Sequence, residues 1–160
     1  MQKVLLLAIA AAAVSGLATG AATATVTTKT GAAKTPVVTV STRKLPNLGT
    51  ILVNAKGLTL YMFVPDKRKR VTCVHTCAAI WPPVKLPKGA KARATGRAKA
   101  SLLANDRDPT GGRIVTYNKW PLYTYISDKR PGQATGQALN LNGGLWYVLN
   151  SSGKVIKTKR

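Results

Sequence analysis

The feature that most limits what this chain can fold into is a phrase it carries twice. YMFVPDKR occupies Tyr61 to Arg68, and YTYISDKR occupies Tyr123 to Arg130, 62 residues on (123 minus 61). Both read aromatic-x-aromatic-x-x-Asp-Lys-Arg. Side chains alternate sides along an extended strand. Leu60, Met62 and Val64 therefore share one face and Tyr61 and Phe63 the other, while Leu122, Thr124 and Ile126 oppose Tyr123 and Tyr125. An aliphatic face backed by an aromatic one is the pattern of a strand covered on both sides. Pro65 and Ser127 mark where each strand leaves its ladder. Asp66 and Asp128 follow at the exit turn, where a carboxylate can accept N–H bonds from residues further along. Each copy then runs on to a tryptophan, Trp81 or Trp146. The repetition predicts two similar β-units packed about an approximate two-fold, each too small to bury its sheet alone.

The rest of the chain supports a mainly β domain. Ile51–Val53 and Leu58–Val64 flank Asn54-Ala55-Lys56-Gly57, and Leu145–Leu149 and Lys154–Ile156 flank Asn150-Ser151-Ser152-Gly153. Both read as hairpins with Gly at the left-handed position. A third hairpin is expected from Ile114–Tyr117 and Leu122–Ile126 around Asn118-Lys119-Trp120-Pro121, with Trp120 exposed at its tip. Helical periodicity is scarce, and at most one short turn is expected near 77–81, stopped by Pro82-Pro83. Residues 1–24 read as a signal peptide: a basic start, a short apolar run and an Ala-x-Ala-like site at Ala22-Thr23-Ala24. Residues 25–44, rich in Thr and Ala, read as a flexible linker. The domain then spans 45–157, as repeat one (45–84), a basic connector (85–100) and repeat two (101–157), with a basic tail at 158–160. No transmembrane helix is expected after cleavage.

Charge narrows the partners. The chain has 25 Lys and Arg, four Asp and no Glu; without Lys3, 24 cations against four anions leave a mature net charge of +20. Such a surface is drawn to polyanions, here anionic cell-envelope polymers or lipid head groups, with no specific nucleic acid implied.

Cys73-Val74-His75-Thr76-Cys77 is the most chemical-looking segment. Outside the cell an even pair of thiols favours a Cys73–Cys77 disulfide. The alternative is a Cu(I) or redox site built from Cys73, His75 and Cys77, since soft sulfur ligands favour that ion. Asn105 to Gly112 faintly follows a calcium loop but lacks the closing bidentate Glu. Asp66 and Asp128 could in principle do acid–base work, yet each precedes Lys-Arg, which would keep it ionised. No nucleophile elbow, phosphate-binding glycine loop or dinucleotide fingerprint is present, so no enzyme and no cofactor are expected.

The two motifs, with LGTILVNAKGLTLY before the first, CAAIWPPV after it, and PLYTYISD and GQALNLNGGLWYVL in the second half, resemble a bacterial family described as a secreted repeat of unknown function. Its members are described as predicted lipoproteins with a Tyr-x-aromatic-x-x-Asp motif. The resemblance spans roughly Leu45 to Ile156 and places the motif on Tyr61, Phe63 and Asp66 and on Tyr123, Tyr125 and Asp128. It implies a secreted, β-rich repeat, with the motif residues structural or ligand-binding. The lipid-accepting cysteine implied by the family label is missing near the apolar leader.

Overall fold

The computed structural model describes residues 34–67 and 70–159; the leader and residues 25–33 of the expected linker lie outside them. The fold is mainly β, built on two repeats. One three-stranded sheet runs β2 (Gly49–Asn54), β1 (Val37–Leu45), β5 (Lys91–Ala94), with β1 and β5 parallel. A second runs β3 (Tyr61–Phe63), β10 (Gly144–Val148), β9 (Leu139–Leu141). The third holds β4 (Lys85–Leu86), β7 (Arg113–Tyr117) and β6 (Leu103–Arg107), with β8 (Trp120–Pro121) also on β7. The one α-helix among the described residues, α1 (Thr76–Ile80), is five residues long and ends at Trp81 before Pro82.

The two motif segments meet at the centre. Tyr61 N–H donates to the Tyr123 carbonyl at 2.8 Å, and Tyr123 N–H returns the bond to the Tyr61 carbonyl at 3.0 Å. The surrounding bonds repeat about that point. Leu52 N–H reaches the Leu149 carbonyl as Val115 N–H reaches that of Val84, and Leu60 N–H reaches Leu52 as Leu122 N–H reaches Val115. Matching positions of the two halves thus make matching bonds, the signature of an approximate two-fold.

The alternation expected of the motif strands separates two cores. Tyr61, Phe63 and Tyr123 join Trp81, Trp146 and Ile51 on one side. Leu60, Met62 and Leu122 join Val40, Leu52, Val115 and Leu149 on the other. Val64 departs from the aliphatic face: the chain turns into a 3-10 turn over Val64–Asp66, with Pro65 in its first turn, and Val64 stays exposed.

Three expectations are corrected. Residues 37–44 of the expected 25–44 linker are strand, because five of the nine residues of β1 are β-branched and Val40 is fully buried. The basic connector at 85–100 holds β4 and β5. Gly89 (φ 78°) and Gly96 (φ 61°) turn the chain on either side of β5, and Lys91-Ala92-Arg93-Ala94 alternates cation-out, alanine-in. Trp120 is half-buried rather than exposed. Asn118 and Lys119, both at positive φ (47° and 67°), make a two-residue turn, and Trp120 already pairs with Tyr117 in β8.

Candidate functional site

The motif residues converge on one buried assembly. Tyr61 and Tyr123 oppose each other across the central antiparallel bridge, so their rings leave the backbone on the same side. Each hydroxyl then reaches the other repeat's carboxylate. Tyr61 Oη donates to Asp128 Oδ2 at 2.5 Å, and Tyr123 Oη donates to Asp66 Oδ2 at 2.6 Å. The second oxygen of each Asp latches its own exit loop as expected. Asp66 Oδ1 accepts the Thr72 N–H and hydroxyl, both at 2.8 Å, and Asp128 Oδ1 accepts those of Thr135 at 2.9 and 2.5 Å. Each motif Asp therefore ties together two backbone segments of its own repeat and one tyrosine of the other.

The rings extend the exchange. Phe63 pairs in register with Trp146 and stacks on it at 4.1 Å. Tyr125 stacks on Trp81 at 4.1 Å, and the two tryptophans stack on each other at 3.9 Å with planes 3° apart. The result is a continuous pile, Phe63–Trp146–Trp81–Tyr125, that alternates between repeats. Tyr61 and Tyr123 meet Trp81 and Trp146 edge-on at 5.4 and 5.2 Å. The two halves differ at the indoles, where Trp146 Nε1 donates to the Leu141 carbonyl at 3.0 Å and buried Trp81 Nε1 has no acceptor among the described residues, and at Tyr61, whose Oη also accepts the Gly136 N–H at 3.2 Å.

The centre of this assembly is closed to solvent. Asp66, Tyr61, Tyr123, Trp81 and Trp146 are all fully buried. Burial pushes the Asp66 carboxyl above the usual carboxylate range against the pull of Tyr123 and Thr72. Lys67, which follows it, is exposed. Burial, together with the Asp66 charge, raises the Tyr123 hydroxyl well above a normal phenol. Each phenol thus donates to an enclosed side-chain oxygen of the other repeat.

The Cys73–Cys77 segment packs on the ring-bearing core, with Cys73 buried in it. The two sulfurs are bonded to each other, with Cα atoms 5.2 Å apart. Bonded sulfurs supply no thiolate to a metal. His75, at φ 52° and exposed, sits at the tip of the closed loop. Beside it, a shallow hollow of about 270 Å³ is lined by Cys73, Val74, His75, Ala78, Pro83, Lys85, Asp108 and Thr110. Lys85 Nζ pairs with Asp108 across it, and Asp108 Oδ1 accepts the Thr110 N–H and hydroxyl at 2.8 and 2.7 Å. Burial would raise the Asp108 carboxyl, but Lys85 and Thr110 outweigh it and hold the group below its usual range. With those partners, Asp108 fastens the turn of the Asn105–Gly112 segment. Among the described residues no cluster of three or more His, Cys, Asp or Glu is placed to hold a metal ion. No described helix is long and apolar enough to cross a membrane.

Sequence reasoning found the motif residues and the Asp latch but not the exchange between repeats, the tryptophan pair or the Lys85–Asp108 bridge. One signal was there: two buried-type tyrosines and two turn-type carboxylates in equal number.

No curated protein and no solved structure matches the chain significantly. The profile of the family described as "Secreted repeat of unknown function" matches it twice, over residues 42–85 and 106–150. The two matches each contain one motif segment, one latching Asp and one tryptophan of the stack, and they leave β5 outside. Together they cover more than half of the chain, which belongs to this family of secreted repeats.

Proposed function

We propose that the mature protein is a non-enzymatic β-repeat module that holds to anionic polymers of the cell envelope through its basic surface. The observation that carries this reading is where the negative charge goes. Asp66, Asp108 and Asp128 are 0%, 3% and 3% exposed, and each is engaged by internal donors. Asp106, half-buried, bonds its neighbour Arg107 N–H at 2.8 Å. The fold thus withdraws nearly all its carboxylate from the surface, while Arg43, Lys44, Lys56, Lys91, Arg93, Arg97 and Lys99 stay exposed on and around the β2–β1–β5 sheet. A cationic surface without interspersed acids attracts polyanions of any fine structure.

Retention of the mature protein on immobilised polyphosphate should fall steeply with added salt, as counterion release requires. An Arg43→Gln, Arg93→Gln, Arg97→Gln triple variant should elute at lower salt with an unchanged melting temperature. Retention that ignores salt would contradict the reading. A copper-binding role has no comparable support, since Cys73 and Cys77 bind each other.

A further inference from the structure

On a different face lies a hollow of about 390 Å³ walled by Met62, Val64, Trp120, Leu145, Tyr147 and Val155, with Lys157 at its edge. Its size falls in the ordinary range of small-ligand pockets. Val64 is 43% and Leu145 37% exposed, so two of the large exposed hydrophobics of the described residues meet in this one place. It also takes the tryptophan left out of the stack: Trp81 and Trp146 are fully buried, while Trp120 is half-buried with one side in this wall. Met62, the buried part of that wall, is a side chain that reshapes readily around an occupant.

The charge around the hollow selects the occupant. Lys157 lines it, and exposed Lys119 and Lys154 adjoin Trp120 and Val155. The turns carrying those two lysines are tied together by Asn118 Nδ2 donating to the Gly153 carbonyl at 2.9 Å. No acidic side chain is among the lining residues. We propose that this apolar hollow with a cationic edge binds a single-chain anionic amphiphile, its hydrocarbon chain against Trp120, Val64 and Leu145 and its head group toward Lys157.

The test is a fluorescence titration of the mature protein with dodecyl phosphate below its micelle concentration, in buffer containing 150 mM salt. Trp120, alone of the three tryptophans, is placed to report. A saturable emission change is expected, with dodecyltrimethylammonium binding at least tenfold more weakly and inorganic phosphate giving no change. Val64→Asp should weaken binding at least tenfold, whereas Val37→Asp should not. Val37 is equally apolar and exposed but lies on β1, so the pair separates the hollow from general attraction to a basic protein. Should Val64→Asp misfold, exposed Lys157→Ala is expected to weaken dodecyl phosphate binding several-fold without moving the melting temperature. No saturable response, an equal loss in both aspartate variants, or equal affinity for the cationic surfactant would overturn the proposal. So would an emission change that follows protein concentration without ligand, which would assign the hollow to a second copy. Loss of polyphosphate retention in the arginine variant leaves this outcome unaffected, so the two readings fail separately.

Discussion

The two repeats make the same bonds with different surroundings. At the centre, Tyr61–Asp128 and Tyr123–Asp66 mirror each other, and so do the Thr72 and Thr135 loop latches. At the periphery they part. Repeat one closes its exit loop with the Cys73–Cys77 disulfide, while the residue after the latching threonine in repeat two is Gly136. A Cβ there would lie 2.6 Å from the Trp81 ring, so repeat two gives up a side chain to admit its partner's tryptophan. Repeat one also gains β5 alongside β1, and with it the exposed Lys91 and Arg93. The symmetric part is what holds the fold shut; the asymmetric part is where the chain carries its own character.

The largest effect that could break this comparison lies in the ring pile. Trp81→Ala and Trp146→Ala should each cost about 3–5 kcal/mol in chemical denaturation, the usual loss for a fully buried large aromatic. The gentler Trp→Phe pair sharpens it. Trp146→Phe removes the bond to Leu141 as well as ring area, whereas Trp81→Phe removes an indole N–H with no acceptor. Trp146→Phe should therefore be the costlier by about 1 kcal/mol. Equal losses would show that the two positions are energetically alike despite that bond.

Reducing the disulfide comes next. The closed segment is short, so its loss should cost about 2 kcal/mol or less on the chain-entropy account. Amide exchange should quicken around residues 71–80, with little change around 130–140, where repeat two has no bridge to lose. Equal loosening of both loops would mean that the bridge supports the whole fold.

The smallest expected effect is in pH. Asp108 is held low, so its contribution is fully present above the ordinary carboxylate range, near 3.8, and fades as pH falls through its depressed folded value. Asp66 is raised, so its contribution runs the other way: present below the ordinary range and lost as pH rises through the elevated folded value. Lys85 is about half exposed, so the Asp108 contribution should be at most about 1 kcal/mol after solvent screening. Between pH 3 and 7, Lys85→Met should remove stability mainly at the upper end, and Asp66→Asn should flatten the opposing slope. Parallel melting curves of the variants and the parent across that range would contradict both directions.

Much of the framework was legible because alternation is a local property. The order Leu60-Tyr61-Met62-Phe63 already assigns two faces, and the structure puts a core on each. The helical turn ending at Trp81, the Asn54–Gly57 and Asn150–Gly153 turns and the Cys73–Cys77 pairing also follow from short-range chemistry. The exchange was not legible, since the two motifs are nearly identical and nothing in either tells its tyrosine which of two equivalent carboxylates to choose. At β5 the Lys- and Arg-rich 85–100 stretch read as a basic connector, although Gly89 and Gly96 only bound a short strand within it. At Trp120 the error was one of turn length. A two-residue turn at Asn118-Lys119 draws the indole back onto the sheet and so creates the hollow beside it.

The claim beneath all of this is that each tyrosine is fastened to the opposite repeat, and double-mutant cycles on folding stability at pH 7 test it most directly. Tyr61→Phe combined with Asp128→Asn, and Tyr123→Phe with Asp66→Asn, should show coupling of about 1 kcal/mol or more, as expected for partners in direct contact. The within-repeat combinations, Tyr61→Phe with Asp66→Asn and Tyr123→Phe with Asp128→Asn, should be closer to additive. Stronger coupling within a repeat than across would contradict the exchanged latch.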